Sequence, residues 1–196
     1  VDNCADLIFG GEGYDLIDGG TGDDTLNGDG GNDSILGSTG DDVIDGGDGN
    51  DTIDGGNGGA DIMSGGADRD LFVNVDAGEV VDGGSEGDDF DTLDLRGSVS
   101  GDGSLKVVFT NPASAGNGFD GVVNYFDSNG DQVGQLPFTN IEDVIPCFTP
   151  GTLIATPTGE RRVEDLKSGD RVITRDNGIQ EIRWVGQRAM TGEEFS

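Results

Sequence analysis

GGEGYDLID (residues 10–18), GGTGDDTLN (19–27), GDGGNDSIL (28–36), GSTGDDVID (37–45) and GGDGNDTID (46–54) follow one another without a gap. Aligned in nines, they place Asp15, Asp24, Asp33, Asp42 and Asp51 at one register position, with Asp6 one period earlier. Two residues after each stands an aliphatic side chain: Ile8, Ile17, Leu26, Ile35, Ile44 and Ile53. Self-similarity at a fixed period indicates stacked repeats, because a unit this small cannot bury its apolar face alone. A tenth residue enters the block Gly55–Ser64, after which Asp61/Met63 and Asp70/Phe72 resume the phase.

Each unit has a direct physical reading. Its glycines allow the positive φ of a tight turn and leave the turn carbonyls unobstructed. A triplet such as Leu16-Ile17-Asp18 alternates as a very short strand with one side chain pointing inward. Nine residues then make half a coil, and eighteen return the chain to the same side. Asp15, Asp33 and Asp51 are expected to stack along one edge, and Asp6, Asp24 and Asp42 along the other.

The charge follows the register. The chain has 196 residues and a net charge of −30, and residues 1–95 hold 23 Asp and 3 Glu against the single Arg69. Acidic, Gly-rich composition usually makes a solvated, disordered tail, but a tail needs no positional order and this segment has it. So negative a chain is repelled by phosphate backbones, which excludes nucleic acid as a partner. No apolar run approaches the length of a membrane span. With no His, and two Cys 143 positions apart, a His/Cys zinc site and a disulfide scaffold are both excluded. The chain opens on Val without a signal-peptide pattern and is expected to be an excerpt of a longer polypeptide.

Stacked carboxylates repel. At a strand spacing of about 4.8 Å each neighbouring pair costs about 1 kcal/mol in water and about 3.5 kcal/mol at an effective dielectric of 20. One inward aliphatic side chain per unit is too little apolar burial to offset this and the ordering of nine residues. A divalent cation between stacked turns removes the repulsion. Carboxylates and carbonyls without thiol or imidazole form the hard-oxygen set of calcium; magnesium, with its strict octahedron and retained waters, suits it less.

The pattern G-G-x-G-x-D-x-U-x resembles the calcium-binding nonapeptide of RTX (hemolysin-type) proteins. The resemblance implies a parallel β-roll with calcium between one repeat and the next but one, ligated by Asp side chains and by carbonyls of the first and third turn positions. One column would use Asp15, Asp33 and Asp51 with Gly10, Glu12, Gly28, Gly30, Gly46 and Asp48. The other would use Asp24 and Asp42 with Gly19, Thr21, Gly37 and Thr39. The resemblance also implies secretion from a Gram-negative bacterium to the extracellular medium, with a type I secretion apparatus as the parent's partner. Asp29 and Ser38 depart from the pattern at the second turn glycine and Asp68 at the later one. The inserted residue is expected to disturb the pairs Asp42/Asp61 and Asp51/Asp70, now nineteen apart.

Residues 74–145 lose the period. Gly83-Gly84-Ser85-Glu86-Gly87-Asp88-Asp89 is a last irregular turn, and strand-like runs follow at Leu105–Phe109, Val122–Phe126 and Gln132–Phe138. Asp127–Asp131 reads as a hairpin turn. It is not an EF-hand loop, which needs Gly at Gln132 and Glu at Phe138. The region is expected to cover the open end of the roll.

From Pro146 the chain turns near-neutral. Cys147-Phe148-Thr149-Pro150-Gly151-Thr152, Val163-Glu164-Asp165-Leu166, Gly169-Asp170-Arg171-Val172 and Ile182-Arg183-Trp184 resemble the opening of a Hint (hedgehog/intein) domain. The resemblance implies that Cys147 attacks the Pro146 carbonyl in an N-to-S acyl shift. The family's downstream His is missing, so no activity is expected of these 196 residues alone, whereas a longer parent would self-cleave at Pro146–Cys147. The expected fold is all-β: an RTX β-roll at 1–73, a capping region at 74–145 and the start of a Hint-like domain at 146–196. The expected function is calcium binding by an extracellular module that folds on Ca2+, followed by an autoprocessing segment. The alternative is a metal-poor structural or adhesive solenoid with an inert Hint remnant.

Overall fold

The nonapeptides do form strands, longer ones than the aliphatic triplet alone. In a computed structural model, which describes residues 4–87, 89–99, 103–112, 118–145, 153–162, 165–167, 171–174 and 178–181, the first five units give β1 (Leu7–Glu12), β2 (Leu16–Thr21), β3 (Thr25–Gly30), β4 (Ser34–Thr39) and β5 (Val43–Asp48). Each runs through the first three turn positions as well. Stacked coils bend at the same place, so the ladder between them survives the bend. β6 (Thr52–Asp54), β7 (Ile62–Ala67), β8 (Leu71–Val73), β9 (Val80–Glu86) and β10 (Thr92–Asp94) continue the series.

Odd and even strands separate into two parallel stacks, β1-β3-β5-β7-β9 and β2-β4-β6-β8-β10. The register advances by eighteen, as in Ile8↔Leu26 and Ile17↔Ile35. Every coil therefore crosses both sheets once: the chain is an all-β parallel β-roll. Inward side chains of the two sheets (Leu26, Ile44, Met63 and Val81 from one, Ile17, Ile35, Ile53, Phe72 and Leu93 from the other) form a single core cluster. All but Ile17 are at most 1% exposed.

Two physical demands explain the turn glycines. The second and fourth positions take positive φ, for example 104° at Gly47 and 125° at Gly49. Asp29, Ser38 and Asp68 occupy such positions with φ of 67°, 78° and 76°. Asp tolerates this left-handed region better than most residues. The strain at Ser38 is met by a hydrogen bond from its hydroxyl to Asp18 Oδ1 at 2.7 Å. The first position needs glycine for space, which bears on the site below.

The inserted residue does not disturb the two Asp pairs, contrary to expectation, although β6 ends at Asp54 and its pairing with β4 stops there. Asp42 N–H still donates to Asp61 Oδ1 at 2.8 Å, and Asp51 N–H to Asp70 Oδ1 at 2.9 Å. The extra residue is Gly58, which bulges into open space at φ 76°, while Gly59 resumes the stack over the Gly40 carbonyl.

The expected cap joins the same sheets. β11 (Ser104–Pro112), β12 (Phe119–Phe126) and β13 (Gln132–Ile141) form an antiparallel meander whose last strand pairs in parallel with β9. β14 (Asp143–Ile145) pairs in parallel with β10 and ends the second sheet. The turn Asp127–Asp131 closes as expected, its Asp127 Oδ1 accepting the N–H groups of Asn129 and Asp131, both at 2.9 Å. Leu136, Phe138 and Ile141 of β13 carry the core over the end of the roll.

The chain forms two compact units, Val1–Cys147 and Phe148–Ser196. In the second, β15 (Leu153–Thr156) pairs antiparallel with β16 (Gly159–Arg162), and β17 (Arg171–Thr174) with β18 (Gly178–Glu181). Among the described residues no α-helix occurs, and so none that is long and apolar enough to cross a membrane.

Candidate metal sites

The backbone ladder fixes one oxygen of each column carboxylate. Asp6, Asp15, Asp24 and Asp33 donate their N–H groups to Oδ1 of Asp24, Asp33, Asp42 and Asp51, at 2.7–2.8 Å. Each Asp thus accepts from the coil before it, and its side chain has one orientation. Asp24, Asp33, Asp42 and Asp51 are 1–2% exposed.

The second oxygen is left without a donor. Oδ2 of Asp15, Asp24, Asp33, Asp42, Asp51, Asp61 and Asp70 is buried and accepts no hydrogen bond. A buried carboxylate oxygen without a partner is costly, and here it recurs in every coil. Beside it lies a carbonyl from the next coil. A Cβ placed on Gly37 would stand 2.5 Å from both Asp42 Oδ2 and Gly55 O; at Gly19 it would stand 2.7 Å from Asp24 Oδ2 and 2.8 Å from Gly37 O. Gly10, Gly28 and Gly46 repeat the arrangement with Asp15, Asp33 and Asp51. The first turn glycine therefore opens a cradle lined by a carboxylate and a carbonyl oxygen. Such a donor set fits a hard divalent cation of the calcium class.

The third turn positions stack in the same way, with Glu12 opposite Gly30, Gly30 opposite Asp48, and Thr21 opposite Thr39. Their carbonyls already accept from neighbouring coils: Gly30 O from Gly13 N–H at 2.6 Å, Thr39 O from Gly22 N–H at 3.0 Å and Asp48 O from Gly31 N–H at 2.7 Å. Each keeps a second lone pair. Cys147 lies outside the described residues.

The columns run further than the sequence-derived ligand set. One passes through Asp61 to Glu79, the other through Asp70 and Asp91 to Glu142, as the pairings of β7 with β9, β8 with β10 and β10 with β14 require. The signal was the triplet acid-x-aliphatic at Glu79-Val80-Val81, Asp91-Thr92-Leu93 and Glu142-Asp143-Val144, which outlasts the glycines. A second ladder was also missed. Asp41 N–H donates to Asp23 Oδ1 at 3.0 Å, and Asn50 N–H to Asn32 Oδ1 at 2.9 Å. It runs opposite to the first, so adjacent coils are tied in both directions.

Burial drives the column carboxyls upward in pKa. Asp42 and Asp51 are pushed up to about 6, Asp91 to about 7, and Asp70 and Glu79 to about 8. In each, lost hydration is the first cause; the accepted N–H opposes it and neighbouring carboxylates reinforce it. These folded-state values exceed the unfolded ones, so the metal-free fold binds more protons and loses stability as pH rises from about 4 to 8. Metal-free protein should therefore show more β-structure by circular dichroism at pH 5 than at pH 8. The reverse order would contradict this reading of the columns.

A β-roll whose stacked carboxylates each leave one buried oxygen without a donor defines a class of acid-rich solenoid suited to hard cations. Residues 5–35, 27–59 and 36–72 match the RTX calcium-binding nonapeptide repeat, and residues 146–196 match the Hint domain. The chain thus carries RTX calcium-binding repeats followed by a Hint-domain segment. No curated protein and no solved structure matches it.

Proposed function

We propose that this chain is an extracellular calcium-binding module whose β-roll folds as Ca2+ enters the two columns. The observation that carries this is the row of buried Oδ2 atoms that no protein donor satisfies. Asp15, Asp33 and Asp51 would serve one column with the carbonyls of Gly10, Glu12, Gly28, Gly30, Gly46 and Asp48. Asp24 and Asp42 would serve the other with those of Gly19, Thr21, Gly37 and Thr39. Bound calcium supplies positive charge that cancels the column repulsion. The chain's own residues do the rest: Oδ1 is held by a backbone N–H, which aims Oδ2 into the cradle that the first glycine leaves open. Because the ligands come from different coils, binding energy is folding energy.

Adhesive or purely structural use of a metal-poor solenoid would leave the carboxylates as solvated edges. Asp24, Asp33, Asp42 and Asp51, only 1–2% exposed, speak against it. Isothermal titration of the metal-free chain tests the proposal. Uptake of several Ca2+ per chain is expected, and heat no greater than dilution would overturn it. RTX proteins are typically secreted by Gram-negative bacteria, which supports an extracellular location and export of the parent through a type I apparatus.

For the Hint segment, the family match and Cys147 support autoprocessing. The thiol sulfur would attack the Pro146 carbonyl carbon, forming a thioester as the Pro146–Cys147 C–N bond breaks and the proton passes to the freed amine. Water would then attack the thioester carbonyl, breaking its C–S bond to leave a Pro146 carboxylate and return the proton to the Cys147 thiol. Mass spectrometry of the natural full-length polypeptide should find a fragment ending at Pro146, lost on Cys147→Ala. Persistence of that fragment in the variant would refute the role of Cys147.

A further inference from the structure

One cluster lies beyond the matched repeats. The irregular turn after Gly84 inserts residues ahead of Asp91 and brings Asp89 beside it. β14, paired on β10, stacks Glu142 over the same carboxylate. One oxygen each of Asp89, Asp91 and Glu142 then lies within 4.8 Å of the others.

The column ladder continues through this cluster. Asp70 N–H donates to Asp91 Oδ1 at 2.9 Å, and Asp91 N–H to Glu142 Oε2 at 2.7 Å. The remaining oxygens, Asp89 Oδ1, Asp91 Oδ2 and Glu142 Oε1, are all buried and accept no hydrogen bond. Asp91 itself is 0% exposed. Beside Gly83, whose missing side chain leaves the space, the Asn140 carbonyl meets Asp91 Oδ2 as the Gly55 carbonyl meets Asp42 Oδ2 at Gly37. Asn140 holds a positive φ of 53° there, the conformation of neither standard strand.

We infer that Asp89, Asp91 and Glu142, with the Asn140 carbonyl, form a further divalent-cation site of the calcium class that clasps the cap to the last coil. It rests on the calcium reading of the columns but differs from them in construction. Three carboxylates replace one, and all three lie beyond the matched repeats. Three clustered carboxylates carry charge that one shared proton cannot cancel, and oxygen donors alone select a hard ion. The ligands belong to the β9–β10 turn and to the β13–β14 junction, so an ion here fixes β14 and the meander on the roll.

The test uses terbium(III) as a calcium mimic on the whole chain. Phe90 is half-exposed between Asp89 and Asp91, so Phe90→Trp places a sensitising indole next to the site. Emission excited through tryptophan should exceed that of the parent chain. It should fall back when Glu142→Gln or Asp89→Asn is added, while Ca2+ stoichiometry drops by one ion. Gln at 142 keeps an acceptor for Asp91 N–H, and Asp89 takes no part in the ladder, so far-UV circular dichroism in calcium should stay unchanged. Several ions by titration with no extra emission in the Phe90→Trp chain would overturn the clasp alone. Extra emission that survives both substitutions would overturn it too, and a proton shared by Asp89 and Asp91 would then account for the cluster. Absence of all ion uptake would instead overturn the columns.

Discussion

Removal of divalent cations at pH 7.5 is expected to dissolve the β-roll. The folded columns hold ionised carboxylates about one strand spacing apart, and Asp24, Asp33, Asp42 and Asp51 have almost no contact with water to screen them. Each neighbouring pair then costs about 3.5 kcal/mol at an effective dielectric of 20. The penalty recurs along both columns wherever neighbours are both ionised, and is relieved where Asp70 and Glu79, pushed up to about 8, keep a proton; a domain is typically stable by only about 5–15 kcal/mol in all. Protonation can relieve it only in part, because Asp42 and Asp51, pushed up to about 6, are mostly ionised at that pH. Far-UV circular dichroism in excess chelator should lose the strand signal and regain it on adding millimolar calcium. An unchanged spectrum would mean that the core holds the coils together unaided.

The second large effect is expected at Asp51, at the middle of its column. Asp51→Ala removes the acceptor of Asp33 N–H, which is buried and has a 2.7 Å bond to lose. An orphaned buried donor costs about 1–3 kcal/mol. The same change deletes the Oδ2 proposed to meet calcium. Asp51→Asn separates the two roles, since its amide oxygen can keep the ladder bond while the charge is gone. Both variants should bind less calcium, and only the Ala variant should lose additional stability in urea at saturating calcium. Equal urea midpoints would show that the ladder bond contributes nothing. Full calcium stoichiometry in both would remove Asp51 from the site.

The parts of this architecture that were legible in the sequence are those that depend on period. The spacing of Asp15, Asp24 and Asp33, the inward Ile and Leu positions, and the alternation between two sheets all follow from nine-residue arithmetic. The turn glycines were legible as a motif, yet their two causes were not. Gly47 and Gly49 take a positive φ and also lie against the Asp29 and Gly31 carbonyls, while Gly37, without a positive φ, serves only the space between Asp42 Oδ2 and Gly55 O. Such a distinction requires knowing which atoms of the next coil arrive there.

Gly58 shows the limit of arithmetic. Counting makes the insertion a break, but a glycine at the outer edge of a turn can bulge into solvent and leave the ladder intact. Beyond residue 73 the period fails, and with it the means of pairing Asp91 with Glu142, fifty-one residues apart. Only the sheet topology, with β14 added beside β10, brings them together. Asp23, Asn32, Asp41 and Asn50 were visible as a recurring Asp/Asn position, but composition alone does not distinguish a solvated side chain from one that accepts a neighbour's N–H.

Diffraction from crystals grown in calcium, with anomalous data collected at long wavelength, tests the central claim most directly. Anomalous peaks should lie beside Oδ2 of Asp24, Asp33, Asp42 and Asp51, between alternate coils. Well-ordered coils with no peak there, and with those oxygens hydrogen-bonded to water or to one another through protons, would contradict it.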